Sequence, residues 1–395
     1  MKKNSTIVSI TGMGIISPAG QGIEPLWNAC LQKQSLIENG LGTVKHDDIH
    51  AAQNSLTHSP WLKQAVDPKN KSLIMALYAI TQALDEAEWE EFTPHDVIII
   101  GTTTGQISIW EDELLSYTTG VSPAASGHAA LCKQSLSSLS DDLKNILNFP
   151  GRIIILASAC SASTQAMILA HDMLISGRAN RCLAGGVEEL GKLTINGFSS
   201  LKLLNNSPCK PFDQNRMGIN LSEGAAFYSF EISPNRRSLA HFMGGASVLD
   251  SYHMTSPNPE GMGLQKAMLN TLANCRVKPA DISFVHAHGT GSFHNDQAEA
   301  FALAQVFPNR PHVVSSKGVH GHALGASGAL ELGICLQVLN QSNIPPVTGL
   351  EIPDEKFSIN LPTSVRHVSV GYLMKTTLGF GGVNSAFILK AENNA

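Results

Sequence analysis

The sequence predicts an α/β fold made of two similar halves, and three observations predict it. Short β-branched runs alternate with longer Ala- and Leu-rich segments, the rhythm of a layered α/β protein. The strand-like runs are continuously apolar rather than alternating, which places them beneath helices on both faces. After about residue 236 the same order of elements begins again.

Element by element, TIVSIT (6–11) is the first strand, LWNACLQ (26–32) opens a helix, and SLIMALYAITQALDEAEW (72–89) is a helix with apolar residues at helical spacing. DVIIIGTTTG (96–105) is a strand entering a Gly/Thr loop. RIIILASACSAS (152–163) is a strand ending in small residues, and TQAMILAHDMLISG (164–177) is a helix that stops at Gly177. RCLAGGVEE (181–189) and GAAFYSFEIS (224–233) are strands. In the second half LAHFMGGASVL (239–249) is a strand, and DISFVHAHGTG (281–291) repeats the form of 96–105. The segment 312–339 repeats the strand, small-residue loop and buried helix of the Cys160 region. SVRHVSVGY (364–372) and NSAFILKAE (384–392) close the chain. The expected division is 1–235 for the half with Cys160 and 236–395 for the half with His288, Lys317 and His322. Residues 107–150, with the Ser/Ala/Gly-rich SPAASGHAA, read as a cap or insertion on the first half.

A chain of 395 residues holds two or three domain-sized units. It is 43% hydrophobic and 15% charged, against about 25% charged in an average soluble chain. That balance favours a large core and an apolar oligomer interface. The net charge of −5 is mild and no basic stripe occurs, which argues against nucleic acid. No apolar run approaches the ~20 residues of a membrane span. The lysines before the first apolar run imitate a secretory signal, but that run is Gly-interrupted and followed by Ser17, Pro18 and Ala19. It reads as an ordinary strand. The seven cysteines are odd in number and form no C-x-x-C pair. This points away from disulfides and structural zinc, and toward a reducing cytoplasm.

Candidate chemistry lies at the strand–loop–helix junctions. In LASACSASTQA, Cys160 stands before a helix among small neighbours, where backbone N–H groups and the helix dipole favour a thiolate. The competing reading is a buried, inert cysteine. FVHAHGTGSFHND offers His286, His288, His294 and Asp296. A metal reading is weakened because Gly289 and Gly291 break the strand and no three-ligand spacing is completed. Thr290 and Ser292 suit a polar ligand arm, or simply satisfy their own turn. SSKGVHGHALGASGALE holds Lys317, His320 and His322, where a helix cap and a solvated lysine are the plain alternatives. LGFGGVNSAFIL sets Phe380 between glycines that permit close backbone approach. Neither it nor ITGMGIIS completes a dinucleotide-binding pattern.

Taken together and in this order, ACSAS, HAHGTGS, SSKGVHGHALGASGA and GFGGVNS resemble the elongating β-ketoacyl-acyl-carrier-protein synthases of the thiolase superfamily. ITGMGIISPAG, PFDQNRMGINLSEGAA and SYHMTSP add to the likeness, which covers about 5–30 and 150–390 and is loose over 31–149. The resemblance implies a thiolase fold, five-layered α-β-α-β-α, and a homodimer or a heterodimer with a homologue. It implies a Cys-His-His site, Cys160, His288 and His322, acting on acyl and malonyl thioesters. No resident cofactor is implied, because the phosphopantetheine belongs to the acyl carrier protein substrate. By the same likeness, Cys160 and Phe380 supply oxyanion-hole N–H groups. Phe380 and Phe198 gate the acyl pocket, and Lys317 is a structural lysine paired with Glu299. Asp296 supports the loop, Thr290 and Ser292 hold the pantetheine arm, and Lys69, Lys71 and Lys202 dock the carrier. An ordinary solvated surface is the rival reading of those three lysines.

The chain departs from the family pattern at Gly291, His320, Ser222 and GTTTGQ (101–106). These departures leave the triad intact and bear on substrate choice, pointing to a specialised pathway. Two rival functions stand beside the condensing enzyme: a catalytically weak partner subunit of the chain-length-factor kind, and a metal hydrolase built on the histidine loops.

Overall fold

Gly12 and Gly14 decide how closely the first helical layer approaches the first strand. The computed structural model, which describes residues 7–119, 132–232 and 238–392, lays a long helix directly over them. A methyl group at Gly12 would sit 2.1 Å from the Ala83 carbonyl oxygen, and one at Gly14 2.0 Å from that of Ala79. The glycines of ITGMGIIS therefore serve helix-on-sheet contact.

Among the described residues the main sheet has eleven strands, a two-residue one, Gly20–Gln21, paired to the first, and ten in one continuous order. In the first half they are β1 (Val8–Ser17), β2 (Asp96–Gly101), β3 (Arg152–Leu156), β4 (Arg181–Glu188) and β5 (Gly224–Ile232). In the second they are β6 (Ala240–Leu249), β7 (Ile282–His286), β8 (His312–Val314), β9 (Tyr372–Leu378) and β10 (Val383–Lys390). The spatial order is β3-β2-β4-β5-β1 followed by β6-β10-β9-β7-β8. Each arm repeats the same senses: two antiparallel pairings from the seam outward, then two parallel ones. The arms meet where Val8, Ser9 and Ile10 of β1 pair with Phe242, His241 and Ala240 of β6.

The helices are α1 (Ile23–Leu31), α2 (His46–Leu56), α3 (Lys71–Glu86), α4 (Ile107–Thr118), α5 (Ser137–Leu147) and α6 (Ala162–Ile175). They continue with α7 (Lys192–Ser200), α8 (Met262–Cys275), α9 (Phe293–Val306), α10 (Lys317–His320) and α11 (Ser327–Gln341). Asn70 caps α3 by accepting from the Leu73 N–H at 3.1 Å. α3 covers β1 and β5, and α8 covers β6 and β10, on the outside. α6 and α11 lie between the arms and touch strands of both. The result is the duplicated, five-layered arrangement that the resemblance implies. α11 is buried from Ser327 through Leu339, as a central-layer helix must be.

Two expectations shift. SVRHVSVGY yields only the two-residue strand Arg366–His367, paired outside the main sheet. The sheet strand there is β9, whose sequence YLMKTTL hides a lysine. The 107–150 segment supplies α4 and α5, while SPAASGHAA and the 235/236 boundary lie outside the described residues.

Gly101 ends β2 against the first turn of α6, where a methyl group would meet the Ser163 nitrogen at 2.2 Å. Gly101→Ala is expected to lower the unfolding free energy by roughly 2 kcal/mol or more, since the crowded atoms are backbone. Urea titration checks this; an unchanged midpoint would refute the close-contact reading.

Candidate active site

Cys160 sits in the turn between β3 and α6. Ala159 adopts φ 48° there, a left-handed conformation that costs a non-glycine residue energy. The turn is held by Ser161 N–H on the Ser158 carbonyl at 3.2 Å and by the Ser161 hydroxyl on the same oxygen at 2.7 Å. It presents the Cys160 sulfur to a cavity of about 470 Å³. The backbone N–H groups of Phe380 and of Cys160 itself both bear on Sγ.

The matching junction in the second arm carries His322, just before α11. Its Nε2 lies 3.0 Å from Cys160 Sγ, and its Nδ1 lies 2.8 Å from the Ser327 hydroxyl. A hydroxyl both donates and accepts, so Ser327 supports either tautomer of this ring. The His322 backbone is fixed on both sides, N–H on the Asn220 carbonyl at 2.7 Å and carbonyl on the Ser222 N–H at 3.0 Å. His288 follows β7, and the two imidazole centroids are 5.1 Å apart. Lys317 Nζ reaches His288 Nδ1 at 3.3 Å. An ammonium can only donate, so Nδ1 accepts and the ring proton sits on Nε2.

Beneath the imidazoles lies a buried network of charged and polar groups. Lys317 does not pair with Glu299, as the resemblance implied, but with Glu331 of α11. Glu299 instead accepts the N–H groups of His288 and Gly289, each at 2.7 Å. It therefore anchors the loop backbone rather than the lysine. Asp296 does the same one turn on, accepting from the N–H groups of Phe212 (2.7 Å), Thr290 (3.0 Å) and Gly291 (3.2 Å). Lys375 on β9, which the sequence reading missed, contacts Glu331 Oε2 at 2.8 Å. His286 and His320 point away from the cavity and share the Ser316 hydroxyl, at 3.1 and 2.9 Å.

Phe198 and Phe380 stack at the cavity, centroids 5.6 Å apart and planes 15° apart. Thr290 and Ser292 also line it, with their hydroxyls 3.0 Å apart. Gly291, a departure from the family loop, has φ +81° and no room for a methyl group beside the Gly218 carbonyl, 3.0 Å away. Of the three docking candidates, Lys202 is exposed on the cavity rim and Lys69 is exposed elsewhere. Lys71 is removed from that role, because its ammonium is committed to the buried Glu223.

Burial governs the protonation states. It pushes the Cys160 thiol up to about 11, outweighing the Phe380 N–H and the Lys317 ammonium. Burial therefore opposes the thiolate that the helix N-terminus was expected to favour. Burial pushes Cys30, Cys182, Cys209 and Cys275 further, to about 12. Burial and then Lys317 hold His288 and His322 well below the ordinary histidine range. Burial lowers His286 to about 3 and His320 to about 4. The Cys160, His288 and His322 donor atoms lie within 4.8 Å of one another. That spacing is one that ligands around a single ion can span, but the Lys317 ammonium 3.3 Å from His288 Nδ1 repels a cation.

Comparison with known proteins follows this geometry closely. The profile of the beta-ketoacyl synthase N-terminal domain matches residues 5–228, and that of the C-terminal domain matches 239–351. The first match spans the loosely similar stretch 31–149. A 3-oxoacyl-[acyl-carrier-protein] synthase 2 of Coxiella burnetii is 29% identical over 97% of this chain and 98% of its own. Nodulation protein E of Rhizobium meliloti is 26% identical over 97% and 98%. Among solved structures, the ishigamide ketosynthase/chain length factor superposes with a TM-score of 0.89 at 24% identity, covering 98% of this chain and all of that one. A ketosynthase in complex with its chain length factor from Xenorhabdus doucetiae gives 0.84 at 25%, covering 99% and all of that chain.

Iodoacetamide is expected to modify Cys160 before the other buried cysteines, with the exposed Cys132 replaced by serine. Its rate should still be climbing at about pH 9; a plateau below neutrality would mean a resting thiolate. The four buried histidines also set an acid limit. Unfolded, they take up protons near 6.5, whereas folded they do not until far lower pH. Their contribution is therefore complete above about 6.5 and is lost as pH falls below it, by about 1.4 kcal/mol per unit for each ring. Chemical denaturation at pH 7 and pH 5 should show this loss. His320→Thr should reduce it.

Proposed function

The chain belongs to the β-ketoacyl synthase family, and from that premise we propose that it joins an acyl group carried on Cys160 to a malonyl thioester with loss of CO2. As an enzyme it is an acyltransferase. One observation carries the reading: one sulfur, two imidazoles and two backbone N–H groups converge on a single cavity.

In the first half-reaction the Cys160 proton passes to His322 Nε2 and the sulfur attacks the acyl thioester carbonyl. The tetrahedral oxyanion lies against the N–H groups of Cys160 and Phe380. The carrier thiolate leaves and takes the proton from His322. His322 Nε2 then takes a proton from water as Nδ1 gives one up, and the Ser327 hydroxyl accommodates the new tautomer by donating to Nδ1. In the second half-reaction the malonyl thioester oxygen accepts from His288 Nε2–H and His322 Nε2–H. The bond to the carboxylate breaks, CO2 departs, and the electron pair forms an enolate. The enolate carbon attacks the acyl carbonyl and the Cys160 thiolate leaves, releasing a β-ketoacyl thioester, and the thiolate takes up one proton from water, the proton that the overall reaction consumes. Each donor to such an oxyanion contributes about 3–4 kcal/mol.

The acyl carrier protein is the proposed partner, with the pantetheine arm passing Thr290 and Ser292 and no resident cofactor. The cavity rim supports this. It offers Lys202 beside the exposed Met217, Met254 and Phe293, a match for an acidic helix with apolar residues. One structural relative is a type II polyketide synthase acyl-carrier protein in complex with its ketosynthase. A homodimer is proposed from β3, which ends one side of the sheet with Ile153, Ile154 and Ile155 only half-buried, an edge that invites pairing. The free cysteines fit a cytoplasmic setting. Among the described residues no helix is long and apolar enough to cross a membrane. The product enters fatty acid or specialised polyene or polyketide synthesis. The assembled triad favours this over a chain-length-factor-like role.

Cys160→Ala is expected to abolish condensation while malonyl decarboxylation persists, since the two steps use different groups. His322→Ala should lower decarboxylation by about 10²–10³-fold. Release of labelled CO2 measures both; decarboxylation at the wild-type rate without His322 would sink the enolate assignment.

A further inference from the structure

Two lysines are wholly buried under the site, at 0% exposure, where one would be uncommon. Lys317 bonds to His288 and Glu331. Lys375 Nζ contacts Glu331 Oε2 at 2.8 Å, Thr377 Oγ1 at 3.2 Å and the Thr376 carbonyl. Nζ thus donates two hydrogen bonds and lies within ion-pair distance of Glu331, whose charge favours the ammonium against the burial that opposes it.

Lys375 is also a junction. Glu331 belongs to α11, whose first residue, Ser327, holds His322. The Thr376 hydroxyl donates to Glu299 at 2.8 Å, the carboxylate that fixes the His288 backbone. The Thr377 hydroxyl lies 3.0 Å from that of Thr164, on the helix that follows Cys160. β9 itself runs on to Phe380. The groups facing Lys375 are Glu331 and Cys335 from α11, Lys317 and His320 from α10, His286 from β7, Glu299 from α9, and the two site imidazoles, His288 and His322.

We infer that Lys375 is a positioning residue of this site, a second buried ammonium that balances charge beneath the imidazoles and ties together the loops bearing Cys160, His288 and His322. This rests on the condensing-enzyme reading above. The linked ionisable groups are two lysines and two glutamates, Lys317, Lys375, Glu331 and Glu299, summing to zero. Without Lys375 the sum is −1, below the place where an enolate oxygen must gain charge. In Lys375→Met the unbalanced carboxyl has a raised pKa. Below that value it is protonated and harmless; above it, it is negative and opposes the enolate.

The test compares wild type, K375M and K375M/E331Q by CO2 release from malonyl-coenzyme A between pH 6 and 9. K375M is expected to lose about 10–100-fold in kcat with KM little changed, its rate falling as pH rises where wild type stays level. K375M/E331Q removes one charge of each sign and is expected to return to within about 10-fold of wild type, with a level profile. It is also the variant expected to fold if K375M does not. Wild-type behaviour in K375M, or a double variant as impaired as the single one, overturns the inference. A wild-type enzyme that releases no CO2 counts against the condensing-enzyme reading instead. The inference is then read from Cys160 alkylation by iodoacetamide, expected to be slower in K375M than in the double variant. Equal rates would overturn it.

Discussion

The close approach of α6 and α11 is the constraint on which the rest depends. A methyl group at Gly328 would lie 2.1 Å from the Thr164 hydroxyl oxygen, and the Ala329 N–H donates to Ser163 at 3.1 Å. The helices therefore begin side by side in the central layer. The residues just ahead of their first turns, Cys160 and His322, face each other although 162 positions separate them. Moving either helix outward by one side chain would separate sulfur from imidazole.

The same burial sets the electrostatics. A dry site disfavours every charge not specifically paired, so the sulfur rests protonated and the imidazoles rest neutral. Burial alone would raise the Glu331 carboxyl, yet Lys317 and Lys375 outweigh it and hold it well below the usual carboxylate range. Neutral donors above and paired ions below suit a reaction whose charge appears only transiently.

Much of this was legible in the sequence. The doubled order of elements and the small residues flanking Cys160, His288, His322 and Phe380 follow from what tight junctions and close helices require. Legibility failed where a residue broke its own tendency. Lys375 lies in an apolar strand, and lysines ordinarily mark the surface, so nothing in its neighbours signals a place beneath the site. Glu299 looked like the partner of Lys317 because it shares the histidine loop, while the true partner is the lone carboxylate in GALELGICL. A single acid in a helix that is otherwise apolar was the available signal. At Cys160 desolvation, which no local motif displays, outweighs the backbone N–H groups and the ammonium that favour a thiolate.

The pairing of β1 with β5 sets Val8 against Ile232. Beyond a short hairpin with Gly20 and Gln21, this strand thus has no sheet neighbour until residues 224–232 have been synthesised, a non-local closure of the kind that folds slowly. The nucleophile emerges well before the histidine loops. In a nascent chain its thiol is an ordinary solvated one, open to oxidation, and it acquires its guarded chemistry only when the later half docks.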